Sequence, residues 1–157
     1  MGLEYPDDWG NKTIKASIHN IHLNVSNAGK SLPFYKALLG YLGYRVLDES
    51  PEHLGASNGT TDLWIVQAHR KHLNRLFHRK DVGLNHIAFR VSTRKAVDQF
   101  VQNFLSKKKL KPLYGSPRLF PEYRKGYYTV YFEDPDRVKL EVVYFPIEKA
   151  EKKKKRP

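Results

Sequence analysis

An imidazole and a carboxylate on predicted strands are the first candidates for chemistry: His86, which opens the heptamer HIAFRVS, and Glu141, inside KLEVVY. Successive strand residues point to opposite faces. His86, Ala88 and Arg90 therefore share one face and Ile87, Phe89 and Val91 the other, while Glu141, Val143 and Phe145 line up on the later strand. Polar groups on a sheet face must be hydrated, paired or bound to a ligand. A histidine and a glutamate there form either a mutually satisfied pair or a place where protons and cations are handled.

Those strands belong to a repeat. The heptamer NIHLNVS, starting at Asn20, matches HIAFRVS in register at Ile, Val and Ser, with Asn20 standing where the second copy has His86. Asn20, His22 and Asn24 take the polar face, and Ile21, Leu23 and Val25 the apolar one. At the same offset Phe34 falls on Phe100 and Leu39 on Leu105, which argues for duplication. In the first copy Leu32, Tyr35 and Leu39 have helical spacing, with Ser26 or Asn27 as cap and Gly40 as the stop. In the second, Val97, Phe100, Val101, Phe104 and Leu105 follow Ser92. Three strand-like segments follow each helix, and the final ones align Leu63 with Leu140 and Trp64 with Glu141.

Each copy thus reads as βαβββ, and the fold expected is α+β: two such modules forming a curved, barrel-like mixed sheet with a helix on each outer face. The modules span 17–69 and 84–146. A basic linker, 70–83, joins them, an extension covers 1–16, and a basic tail, expected to be disordered, covers 147–157.

Composition excludes several classes. The 157 residues suffice for one well-buried domain. With no cysteine there is neither a disulfide nor a zinc-thiolate site, and this agrees with a reducing, cytoplasmic setting. No apolar run approaches the roughly 20 residues that cross a bilayer, and no secretory signal opens the chain, so no membrane partner is expected. The 28 basic against 16 acidic side chains give a net charge of +12. Charge raises nucleic acid as a partner, yet the excess gathers in SKKKLKP and in the terminal EKKKKRP, neither interleaved with aromatics as a single-strand platform requires.

The segments LNHIAFRVS, VDQFVQNFL and GYYTVYFEDPDRVKLEVVYF, with NIHLNVSNAGKSLPFYKALLG before them, resemble the vicinal oxygen chelate superfamily of glyoxalases, fosfomycin and bleomycin resistance proteins and extradiol dioxygenases. The resemblance covers nearly the whole chain. It implies a U-shaped cavity and a divalent metal (Zn, Mn, Ni or Fe) held by a histidine from each first strand and a glutamate from the last. His86 and Glu141 match two of these ligands; Asn20 replaces the other histidine. An amide oxygen is a harder, weaker donor than imidazole, so this replacement weakens a transition-metal centre. His22 is the alternative to Asn20, on the same face but about 6–7 Å further along the strand.

The function the resemblance implies is binding of a small organic molecule in the cavity between the modules, with a metal polarising vicinal substrate oxygens in lyase, transferase or dioxygenase chemistry. Glu141 would be a ligand or, released, a catalytic base. The alternative is a metal-free small-molecule-binding or drug-sequestering protein, in which Trp64, Phe145 and one of Tyr127 and Tyr128 stack a planar ligand while Asn20, Asn24 and Arg90 supply hydrogen bonds. Tyr123 lies on a loop able to close over the opening. Nucleic-acid accessory function through the basic tail is the third class. The active unit is expected to be a monomer or a homodimer, since modules of this kind close a cavity within one chain or across two.

Overall fold

The computed structural model describes residues 16–73 and 77–146; the expected N-terminal extension, apart from residue 16, and the expected tail lie outside them. Within the first module the elements are β1 (Asn20–Val25), α1 (Ala28–Tyr41), β2 (Arg45–Glu49), β3 (His53–Ser57) and β4 (Asp62–Gln67). The second holds β5 (His86–Arg90), α2 (Arg94–Phe100), which continues as a π-helical turn through Val101–Leu105, then β6 (Leu113–Leu119), β7 (Tyr128–Glu133) and β8 (Lys139–Tyr144).

Both modules have the expected βαβββ order and the same sheet plan. The strand orders are β1-β4-β3-β2 and β5-β8-β7-β6, with the first and last strand of each module parallel and the others antiparallel. In β1–β4, Ile21 lies opposite Leu63; in β5–β8, Ile87 lies opposite Leu140. Asn20 therefore occupies the position of His86, His22 that of Ala88, and Trp64 that of Glu141.

Alternation works as the sequence predicts. Leu23, Val25, Ile87 and Phe89 are buried, whereas Asn20, His22, Asn24, His86, Ala88 and Arg90 are exposed. Asn27 caps α1 by accepting from the Lys30 amide, and the helix passes Gly40 to end at Tyr41, with Gly43 in the left-handed conformation behind it. The cap of α2 is Thr93 rather than Ser92; its side chain accepts from the Ala96 amide.

The two half-sheets do not merge into one closed barrel. α1 and α2 meet: Tyr41 packs its ring against Phe100 and Phe104 at 5.8 and 5.7 Å and donates its hydroxyl to the Gln99 carbonyl. Tyr44 of the first module meets Phe89 of the second edge to face at 6.2 Å. The helix-side residues of both sheets consequently belong to one hydrophobic core. The opposite face, here called the open face, exposes its first-strand residues, whereas on the later strands of the second module Thr129, Tyr131, Glu141 and Val143 are buried.

A second junction ties the modules at the β7–β8 turn. Asp136 of the second module reaches the start of α1, accepting from the Ser26 amide at 2.9 Å and from the Ser26 hydroxyl, and Asp134 accepts from Tyr35 in the middle of the helix. α1 has no acidic residue in its own first turn, so the neighbouring module supplies the negative charge that its N-terminal amides favour.

Candidate functional site

The open face of the second module gathers the chemistry. Glu141 on β8 is fully buried there, and its Oε2 lies 3.2 Å from His86 Nε2 on the neighbouring strand β5. Tyr127 donates its hydroxyl to Oε1 at 2.7 Å. Oε2 has no hydrogen-bond partner.

The proton on His86 is positioned by a residue that sequence reading missed. Asn85 donates its amide nitrogen to the Arg79 carbonyl at 3.0 Å, which turns its side-chain oxygen toward His86 Nδ1, 2.9 Å away. Nδ1 must then carry hydrogen, and in the neutral ring Nε2 presents a lone pair. Burial, followed by the nearby charge of Lys139, lowers the His86 pKa, against the opposing pull of Glu141. A neutral imidazole thus aims a lone pair at an unsatisfied carboxyl oxygen. A proton on either atom, a donor from a ligand, or a cation relieves that opposition.

The rings around the pair are aromatic and the rim is basic. Tyr131 meets His86 edge to face at 6.4 Å, and Tyr127 stacks on Phe145 at 5.7 Å with planes 4° apart. Burial first, then hydrogen bonding to Glu141, raises the Tyr127 pKa, and burial raises that of Tyr131 as well, so both stay neutral hydroxyls. Lys139 lies 5.4 Å from the Tyr131 ring, and Arg90 and Arg124 lie 4.0 and 4.9 Å from the Phe145 ring. Exposed Tyr123 stacks on Phe120 and meets Tyr127 edge to face, which places it at the rim.

Other expected site residues go elsewhere. Tyr128 turns to the helix side, buried, donating to Asp98 of α2 beneath the Arg94 guanidinium; it is not on the open face, because β7 alternation leaves that side to Tyr127, Thr129 and Tyr131. Asn20, His22, Asn24 and Trp64 sit on the other sheet. Trp64 lies flat over Gly55, where a Cβ would stand 2.6 Å from the indole, with His22 stacked at 5.9 Å and His53 at 6.2 Å.

A separate cleft lies between the modules. This cleft, about 750 Å³, is bordered by Asn24, Ser26, Asp136 and linker residues such as Phe77 and Leu84; among the described residues none of His86, Glu141 and Trp64 lines it.

Metal fit can be tested on these donors. Ligands bound to one divalent cation at about 2.0–2.2 Å stand roughly 3 Å apart when they are neighbours in the sphere, and His86 Nε2 and Glu141 Oε2 are 3.2 Å apart. The Asn85 contact is the outer hydrogen bond that orients a ligating imidazole. The pair therefore fits a cation at two points. No three His, Cys, Asp or Glu side chains converge among the described residues, and the corresponding pair of the first module, Asn20 and Trp64, adds at most an amide oxygen.

No described helix is long and apolar enough to cross a membrane. The family model for the Glyoxalase/Bleomycin resistance protein/Dioxygenase superfamily matches residues 17–142. The uncharacterized protein YqjT of Bacillus subtilis is 36% identical over 126 residues, 80% of this chain and 97% of that protein. A presumed glyoxalase from Bacillus halodurans superposes with a TM-score of 0.74 at 34% identity, covering 82% of this chain and 95% of that one. A lactoylglutathione lyase from Agrobacterium tumefaciens, at 18% identity and a TM-score of 0.60 over 82% of this chain and 95% of its own, shares the fold. Two βαβββ modules, the His86–Glu141 pair and these matches together place the chain in the Glyoxalase/Bleomycin resistance protein/Dioxygenase superfamily.

Proposed function

We propose that the protein binds a small organic molecule with two adjacent oxygens on the open face of the second module, at the point where His86 Nε2 and Glu141 Oε2 converge. The observation that carries this reading is the unmet one: a buried carboxyl oxygen without a hydrogen-bond partner faces a lone pair fixed by Asn85. A ligand with hydroxyls on both adjacent carbons can donate one to each acceptor. Tyr127, hydrogen-bonded to Oε1, orients the carboxyl group and keeps its own proton.

A divalent cation held by His86 and Glu141 would polarise the adjacent oxygens of the ligand and acidify its hydroxyl or the neighbouring C–H. The protein's own contribution is orientation: the single free lone pair of neutral His86, on Nε2, serves as cation ligand or, without a cation, as proton acceptor, and Glu141 is fully buried beside it. With only two strong protein donors, cation affinity is expected to be low until the ligand's oxygens add to the set.

One observation favours a metal-free binder as the second reading: in the first module the equivalent pair is Asn20 and Trp64. The test is titration of protein carrying 15N-labelled histidine with catechol, an α-hydroxy ketone and an α-hydroxy acid, with and without Mn, Ni or Zn. Perturbation of the His86 Nε2 resonance that needs ligand and cation together supports the metal-assisted reading. Perturbation by ligand alone supports the metal-free one, and no response from His86 under any condition sinks both.

A further inference from the structure

We propose that Arg90 and Arg124, gathered on the ring of Phe145, form an anion subsite for a carboxylate or phosphate carried by the same ligand, remote from the end that meets His86 and Glu141. The inference rests on the reading above and specifies the ligand further.

Spacing along the strands sets the geometry. Arg90, the last residue of β5, follows His86 by four on the same face, and Phe145, one residue past the end of β8, follows Glu141 by four. Four residues of strand cover about 13 Å. Between the two ends the face carries Ala88, exposed and small. A chain of side-chain contacts links the two ends: Tyr127 donates to Glu141 and stacks on Phe145, whose ring carries the two guanidinium groups.

The far end is a shallow, open groove, and Arg124 reaches the Phe145 ring without lining it. The groove, about 590 Å³, is lined by Arg90, Val91, Ser92, Tyr144, Phe145 and Pro146. Arg90 donates to the Phe145 carbonyl at 3.2 Å. That bond and the ring contact hold the guanidinium plane while leaving most of its five N–H groups for another acceptor. Neither Arg90 nor Arg124 has a carboxylate partner among the described residues, whereas Arg118 nearby is 3.7 Å from Glu122. Two guanidinium groups beside one ring, without an acid between them, repel each other; an anion removes that repulsion and can be gripped in bidentate fashion.

The ligand expected is an elongated molecule with adjacent oxygens at one end and an anionic group roughly 10–13 Å away, a reach set by the strand spacing. The experiment uses the full chain and a matched pair of probes, 4-(3,4-dihydroxyphenyl)butanoate and the corresponding neutral alcohol, measured by calorimetry and by the His86 nitrogen resonances. The acid should bind at least about 10-fold more tightly than the alcohol, a difference of 1.4 kcal/mol. That preference should vanish in the Arg90→Gln, Arg124→Gln double variant and persist in Arg90→Lys, Arg124→Lys.

Competition with inorganic phosphate and with acetate separates the two sources of the anion: displacement by phosphate alone assigns a phosphate group, displacement by acetate a carboxylate. Equal affinities for acid and alcohol, with His86 still responding, overturn the anion subsite and leave the site reading intact. Preference for the acid without any response at His86 keeps the subsite and overturns the link to His86. Absence of binding by either probe counts against both.

Discussion

The phenol of Tyr35, on the first helix, donates to Asp134 Oδ2, on the last turn of the second module, at 2.7 Å, and neither residue is more than 5% exposed. Asp134 Oδ1 meanwhile accepts from the amides of Asp136 and Val138. Burial outweighs these three donors and pushes the Asp134 carboxyl up to about 6 from 3.8. The folded state thus holds this proton more tightly than the unfolded chain, and stability falls as pH rises through the window from 3.8 to about 6. At 1.36 kcal/mol per unit the loss is about 3 kcal/mol, complete above the upper value. Urea unfolding between pH 4 and 7 should show that decline in the wild type and a flatter profile in Asp134→Asn; parallel profiles would show that Asp134 does not titrate in this window.

The same junction predicts a cost for removing Asp136. Its carboxylate accepts from both the amide and the hydroxyl of Ser26 and lies 3.5 Å from the Ser31 hydroxyl, at the start of a helix with no acidic first turn. Asp136→Ala is expected to lower stability by about 1–2 kcal/mol, the range of charged hydrogen bonds and helix-end charge. Measured at pH 7 by urea unfolding, a change below a few tenths of that would mean that Ser26 finds water as an equal partner.

How much of this was legible follows from what alternation encodes. Period-two patterning assigned Ile21, Leu23 and Val25 to the core side and His86 and Glu141 to open faces, and the repeat register paired Trp64 with Glu141 as the sheets do. It left the adjacent Tyr127 and Tyr128 to be divided by the strand's phase, and Tyr128 went to the helix. What alternation cannot encode is which face meets the other module. That depended on Tyr41 reaching Phe100 and Phe104 and on the Asp134–Tyr35 bond, contacts between residues far apart in the chain. Asn85 was invisible for a related reason: its role requires the linker to bring the Arg79 carbonyl against its amide.

Gly55 on the first module predicts a packing defect. A Cβ there would stand 2.6 Å from the Trp64 ring, so Gly55→Ala must tilt the indole away from His22. Overpacking of this kind costs about 1–3 kcal/mol. In a Trp9→Phe background the near-ultraviolet circular dichroism of Trp64 should change with the loss of stability. An unchanged signal with full stability would mean that the sheet itself moves aside.

The last prediction concerns the proton at His86. Burial and Lys139 hold its pKa below the ordinary histidine value, and Asn85 keeps hydrogen on Nδ1. Binding through the Nε2 lone pair should therefore survive acidification past the usual histidine range and disappear only below it, when the ring gains its second proton. Lys139→Gln removes a cation that disfavours the imidazolium, so loss of binding should move to higher pH. Asn85→Leu removes the acceptor that selects the tautomer; affinity for a catechol–cation pair should fall by about 10–100-fold, the usual cost of losing an outer-sphere partner. Its histidine nitrogen spectrum should show mixed tautomers. The Nε2 and Nδ1 shifts across a pH titration of the three proteins separate these effects. A His86 pKa unmoved by Lys139→Gln would show that Lys139 does not contribute to it, and an unmixed tautomer in Asn85→Leu would transfer the orienting role from Asn85 to Glu141.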